Sequence, residues 1–264
     1  MGVADIIPGV SGGTMAFITG IYYRLISALN DLTVVGKLFL QRKWTAGFKK
    51  LDLALFIPLG LGIILAMFLM SGVVSFLLDG YTGITFAFFF GLILASAIYI
   101  YTHIKKLKYE HFIFLILGGV VAYIINNLAS TQTEPTLLYL FFGGMIAICA
   151  MLLPGISGAF ILLLLNQYDF VVLSIHELNV LVLFVFGMGA LFGLLLFSKL
   201  LHYLLKKFKS YTFSFLVGIM LGSLVIPWEK IMASSTNVLL LIVFGILGFV
   251  LVLILEMFFG KKSF

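Results

Sequence analysis

The residues best placed to do chemistry stand at the start of the chain, in Ala4-Asp5-Ile6-Ile7-Pro8-Gly9-Val10-Ser11-Gly12-Gly13-Thr14. Pro8 and Gly9 interrupt any helix through this stretch. The N–H groups released in the Gly12-Gly13-Thr14 turn then point from the positive end of the helix that follows, which favours an anion such as phosphate. Ser11 and Thr14 add hydroxyl donors, and the missing side chains at Gly9, Gly12 and Gly13 let a ligand approach the backbone closely. The break returns as Pro154-Gly155-Ile156-Ser157-Gly158, with Ala159 and Phe160 standing where the first motif has Gly13 and Thr14. The two sites are therefore unequal, and the first is expected to make the more polar contacts. A tight re-entrant turn with close helix packing would use the same residues, so the motif alone leaves binding and packing open.

Asp5 is an acid in an apolar stretch, where a carboxylate is expensive and is a functional candidate by default. It is a candidate proton carrier if desolvation raises its pKa, and equally a helix cap. Arg24, beside Tyr22 and Tyr23, is placed to pair with Asp5 or with a phosphate, or to reach the membrane interface. Tyr168 matches Tyr22, while Asn166 and Gln167 are polar where the first half has Gly20 and Ile21. They line an outer vestibule or cap the end of a hairpin. His103, His111, His176 and His202 are scattered at span ends, so no metal site is expected. Ser96 and Ser223 read as helix-packing positions, and Lys199 and Glu256 as side chains that snorkel. The single cysteine, Cys149, excludes an intrachain disulfide and a cysteine-based metal site. No catalytic residue and no cofactor are assigned.

The elements that position these residues follow from composition. Of 264 residues, 63% are hydrophobic and only 10% charged, with a mean hydropathy of +1.25. A soluble domain carries roughly a quarter charged residues, so the chain is expected to be an all-α integral membrane protein. It forms one domain, 1–264, with no stretch left for a soluble catalytic unit. Apolar runs place six crossings near 53–78, 84–102, 112–128, 178–204, 211–227 and 237–259. Two further apolar regions, 2–30 and 137–173, are interrupted by the motifs and read as broken, re-entrant hairpins whose freed backbone groups need protein or a wet cavity.

The net charge of +6 comes from lysines and arginines in short segments between apolar runs, a topology signal and not a nucleic-acid surface. Lys37, Arg42, Lys43, Lys49 and Lys50 precede the first full span. Lys105, Lys106 and Lys108 follow the second, Lys206, Lys207 and Lys209 the fourth, and Lys261 and Lys262 close the chain. The opposite loops carry only Lys230. Both termini are therefore expected on the cytoplasmic side of the plasma membrane, with the 137–173 hairpin entering and leaving on the outer side.

Residues 51–98 align without a gap to 178–225 at an offset of 127, with 13 of 48 positions identical. Gly60/Gly187, Gly62/Gly189, Thr85/Thr212, Gly91/Gly218 and Ser96/Ser223 carry more weight than the leucines. The two motifs repeat at an offset of 146, so the first half holds about 19 extra residues, by the difference of the offsets, in the basic segment around Trp44. Each half, 1–128 and 137–260, then has one re-entrant hairpin and three spans. An odd number of crossings makes this an inverted-topology repeat, the architecture of secondary transporters.

Gly2-Val3-Ala4-Asp5-Ile6-Ile7-Pro8-Gly9-Val10-Ser11-Gly12-Gly13-Thr14, followed by Phe17, Gly20, Ile21 and Tyr22, with Leu153 to Gly158 and Leu165-Asn166-Gln167-Tyr168, resembles the PopT-type polyprenyl-phosphate transporter family. The likeness covers essentially the whole chain. It implies translocation of undecaprenyl phosphate, the lipid carrier of cell-wall precursors, from the outer to the inner leaflet of the plasma membrane. It also implies polyprenyl phosphate and membrane lipids as partners, with no nucleic acid. The main alternative is an enzyme similar to undecaprenyl-pyrophosphate phosphatases, whose Pro-Gly-x-Ser motif is followed by Arg-Ser and accompanied by paired membrane glutamates. Here Gly12-Gly13 stands in place of Arg-Ser, and no Glu-x-x-x-Glu occurs. A small-anion transporter or channel is the other alternative.

Overall fold

Where lipid offers no hydrogen-bond partner, each apolar run must satisfy its backbone internally, and in this chain it does so as helix. The computed structural model describes residues 1–2, 11–102, 104, 108–128 and 136–259. Among the described residues every regular element is helical: α1 (Gly12–Ile18), α2 (Tyr22–Leu40), α3 (Trp44–Lys50), α4 (Leu53–Gly80), α5 (Thr82–Thr102), α6 (Tyr109–Asn126), α7 (Leu137–Leu152), α8 (Gly158–Leu164), α9 (Tyr168–His176), α10 (Val180–Lys207), α11 (Lys209–Ser223), α12 (Val225–Met232) and α13 (Val238–Phe259). The protein is an all-α, multi-pass membrane protein. Stretches long and apolar enough to cross a bilayer lie in α4, α5, α6 and α10 and across α11–α12, and α13 carries a shorter apolar run over Val238–Ile254. The fifth expected crossing, 211–227, proves to be two helices reaching Met232. Pro227 explains the division, because its ring opposes the carbonyl four residues back, at Ser223, where α11 ends.

Side-chain caps set several helix starts. Ser11 Oγ accepts the Gly13 N–H at 3.1 Å to open α1, and the Asp52 carboxylate accepts the Leu55 N–H at 3.1 Å to open α4. Thr136 does the same for α7, at 3.3 Å from the Tyr139 nitrogen.

The sequence offsets recur in the backbone. The helices α4 and α10 each have 28 residues and begin 127 apart, while α1 and α8 each have seven and begin 146 apart. Both short helices close alike: Gly20 and Ile21 donate to Phe17 and Ala16, and Asn166 and Gln167 donate to Leu163 and Leu162. That closure needs a left-handed residue, met by Gly20 at φ 71° and by Asn166 at φ 51°. The two halves also use matching contacts, α5 against α13 and α11 against α6. These pairs touch through backbone: a side chain at Gly91 would strike the Gly245 carbonyl, and one at Gly118 the Phe215 carbonyl.

The core lies where α1, α2, α5, α7 and α11 converge, around Phe17, Tyr22, Ile93, Leu152, Ile156 and Met220. In contrast, α4 lies at the periphery, with Leu61 and Phe68 exposed. In the 137–173 region α8 packs back on α7, and the chain then bends by 112° between α8 and α9. This region is a helix–break–helix hairpin followed by a sharp elbow.

Candidate functional site

The described end of the first motif meets the second break. From the first, Thr14 is fully buried and its hydroxyl accepts the Gly155 N–H of the second at 2.9 Å. Ser11, also buried, donates to the Leu153 carbonyl at 3.3 Å while capping α1. Tyr22, at the start of α2, donates its phenol to the Leu152 carbonyl at 2.9 Å. Residues far apart in sequence thus form a polar seam inside the apolar core, and the last carbonyls of α7 find partners there that a broken helix would otherwise lack.

Glycine is required in the seam at Gly155 and gives close packing at Gly13. Gly155 has φ +88°, and a Cβ there would stand 2.7 Å from Ser223 Oγ and 3.1 Å from Met220 Cα on α11. A Cβ on Gly13 would lie 3.1 Å from Ser11 Oγ, 3.2 Å from the Met151 carbonyl and 3.3 Å from that of Leu153. The halves are unequal here: Ser11 caps its helix, whereas Ser157, its equivalent, makes no cap bond to α8. Gly12 is buried at the start of α1, and Gly158 packs α8 on the Ala147 carbonyl of α7. Pro154 is buried beside Gly155.

Beside the seam lies an apolar cavity of about 290 Å³, lined by Cys149, Ala150, Leu153, Ile156, Ile161 and Phe197. Leu153 belongs to both: its carbonyl accepts from Ser11, and the residue lines the cavity. Leu128 and Ile146 also line it and are 54% and 44% exposed, so the cavity reaches the outside of the helix bundle. Larger clefts lie elsewhere, one of about 560 Å³ beside Glu110 and Tyr211 and one of about 420 Å³ beside Trp228. Neither contains a motif residue.

The seam thus joins Ser11, Gly12, Gly13, Thr14, Pro154 and Gly155, with Ser157 and Gly158 just beyond. Arg24 is elsewhere: its guanidinium clasps Asp52 through two bonds, Nε to Oδ2 at 2.8 Å and Nη2 to Oδ1 at 2.7 Å. That pair is exposed, and the guanidinium holds the Asp52 carboxyl below the usual carboxylate range. Asp5, Pro8 and Gly9 lie outside the described residues. Ser96 and Ser223 are fully buried and return their hydroxyls to the carbonyls of Leu92 and Met220 on their own helices. Among the described residues no group of three His, Cys, Asp or Glu side chains could hold a metal ion.

Two participants were hard to see in the sequence. Tyr22 stands out in the sequence through its match to Tyr168 and its place beside Arg24, but neither points to the Leu152 carbonyl that its phenol meets. Gln167 is fully buried, donates from Nε2 to the Tyr139 carbonyl at 2.9 Å, and has no partner for Oε1 among the described residues. It ties the elbow after α8 to the start of α7 and does not face a vestibule.

Residues 1–243 match the family model described as undecaprenyl phosphate translocase-like. The chain belongs to that family. It is 38% identical over 240 residues, 90% of its own length and 78% of the other, to the polyprenyl-phosphate transporter of Vibrio cholerae. It is 33% identical over 273 aligned positions, 97% of its own length and 92% of the other, to the polyprenyl-phosphate transporter of Staphylococcus aureus. No solved structure matches the chain. Family members are thus described by the lipid phosphate they move, and this chain carries a polar seam beside an apolar cavity.

Proposed function

We propose that the protein carries a polyprenyl phosphate such as undecaprenyl phosphate across the plasma membrane, from outer to inner leaflet, for reuse of the carrier lipid. The observation that carries this reading is the seam with the cavity at its edge. An amphiphile with a phosphate head and an isoprenoid tail needs donors next to an apolar wall, and both occur around Leu153. Thr14 spends a lone pair on the Gly155 N–H and keeps its own O–H to give. Parting the seam would free that N–H and the Ser11 hydroxyl together, next to the turn at Gly12 and Gly13, a set of donors suited to phosphate. In the described conformation Thr14 takes the Gly155 N–H and the Leu153 carbonyl takes the Ser11 hydroxyl, which suits a carrier that closes between loads.

The halves are read as an inverted repeat with both termini cytoplasmic, so that rocking of one against the other would present the seam to each leaflet in turn. Asp5 remains the candidate for proton coupling. The phosphatase reading is disfavoured because the relatives are named as transporters and the described seam offers hydroxyls and backbone but no acid, base or arginine to stabilise a transferring phosphoryl group.

Leaflet transfer of a polyprenyl phosphate into proteoliposomes tests this reading. The wild type is expected to transfer the lipid without releasing inorganic phosphate from a polyprenyl pyrophosphate. Thr14→Val should slow transfer at least about tenfold, the weight of one buried hydrogen bond to a charged group, while Thr14→Ser keeps most of it. Equal rates for Thr14→Val and wild type would remove the seam from the substrate path. Absence of transfer by the wild type would overturn the function.

A further inference from the structure

The longest departure of the chain from its own repeat is a clasp that the transport reading does not use. In the second half the helix after the elbow, α9, stops at His176, whereas its equivalent α2 runs on to Leu40 and is followed by α3. Arg42, at φ 58°, turns the chain between them. The Phe39 ring lies where a side chain on Gly47 would be, with Trp44 stacked on it at 5.3 Å and Phe48 tilted against it at 5.4 Å. Lys50 closes the far end on Asp31, with Nζ 2.9 Å from the carboxylate. The clasp is therefore held by its own contacts.

Its outward side has an unusual make-up. Residues 37–50 hold five cations and no acid. Lys37, Arg42, Lys43 and Lys49 are exposed, and among the described residues none of them forms an ion pair. Among these charges stand exposed apolar groups, with Leu40 87%, Trp44 56% and Phe48 57% accessible. The membrane helix α4 starts at Leu53, three residues beyond the end of α3, a span of about 10 Å of chain at most. The clasp therefore cannot leave the headgroup region. Apolar rings and an indole flanked by lysine and arginine, held at that depth, match an interfacial element that recognises anionic lipid.

We propose that the α2–α3 clasp is a docking surface for anionic phospholipids in the leaflet it faces, with Leu40, Trp44 and Phe48 wedged at acyl depth and Arg42, Lys43 and Lys49 on the headgroups. Positive loops that serve only to orient the chain need charge but no ordered wedge of rings beside it. The clasp has both.

Trp44 and Trp228 are the two tryptophans, so Trp228→Phe leaves Trp44 as sole reporter in the full chain. The protein would be reconstituted in mixed phosphatidylcholine and phosphatidylglycerol vesicles, with the same fraction of either lipid brominated on its acyl chains. Brominated phosphatidylglycerol is expected to quench Trp44 at least about twofold more than brominated phosphatidylcholine. The excess should shrink at high salt, as a headgroup attraction does, and vanish in Arg42→Gln/Lys43→Gln/Lys49→Gln. In the Trp44→Phe protein, Trp228 should show no preference. Equal quenching of Trp44 by the two lipids, or the same preference at Trp228, overturns the proposal. The salt series uses the unaltered clasp and decides the matter even where the triple variant inserts poorly. Because the readout is fluorescence, the result stands apart from whether leaflet transfer is observed.

Discussion

Gly155 shows how one residue fixes the second break. Its φ of +88° suits glycine, and its missing side chain makes room for Ser223 Oγ. Gly155→Ala is expected to lower stability by roughly 1–2 kcal/mol from the backbone alone, with a further loss from the contact. In a Ser223→Ala background, which removes the nearest atom, the same change should cost less. Thermal unfolding in detergent of the two single variants and the double checks this, and strictly additive losses would contradict the contact. The need for glycine was legible in Pro154-Gly155. Its partner on α11 was not, since nothing in local sequence ties residue 155 to 223. In the same way, the hydroxyls of Ser11 and Thr14 were legible as donors, but the carbonyl and N–H they meet belong to the other half of the chain.

Among the elements, the long paired helices put the repeat to a direct test. Gly189 in α10 faces the Phe141 carbonyl of α7 so closely that a methyl group must move one helix, whereas its equivalent Gly62 in α4 has no neighbour within 4 Å among the described residues. Gly189→Ala should therefore lower the melting temperature and Gly62→Ala should leave it nearly unchanged. Equal effects would mean that both helices are packed alike. The start of α4 allows a pH test through Arg24 and Asp52. Because the guanidinium lowers the folded-state pKa of Asp52, the stabilisation is present above the ordinary carboxylate pKa and is lost as pH falls through the depressed one. The melting difference between wild type and Asp52→Asn should be small, in keeping with an exposed pair that solvent screens. It should stay constant near neutrality and close only in strong acid; a difference that changes between pH 6 and 8 would point to another group.

For the whole molecule, the basic-loop pattern predicts which side each connection faces. With Cys149→Ala as background, a membrane-impermeant thiol reagent added outside should label a cysteine at Ser235 but not one at Lys207, which should react only from the cytoplasm. Labelling of both from one side would undo the inverted arrangement. The sequence by itself determined the all-helical membrane class, the places of the long helices, the break at Pro154-Gly155 and the paired offsets of 127 and 146. Those features are local: an apolar run, a proline, a glycine or a matched small residue acts within a few turns of helix, so composition and spacing suffice to reveal it. Tertiary structure alone decided that Thr14 meets the break at Gly155, that Arg24 turns to Asp52 and not to the seam, and that Tyr22 straps the end of α7. Each depends on which helices pack together, and that choice rests on backbone-to-backbone approach at glycines such as Gly91 and Gly118. Close approach is a joint property of two distant surfaces, and no single stretch of sequence carries it.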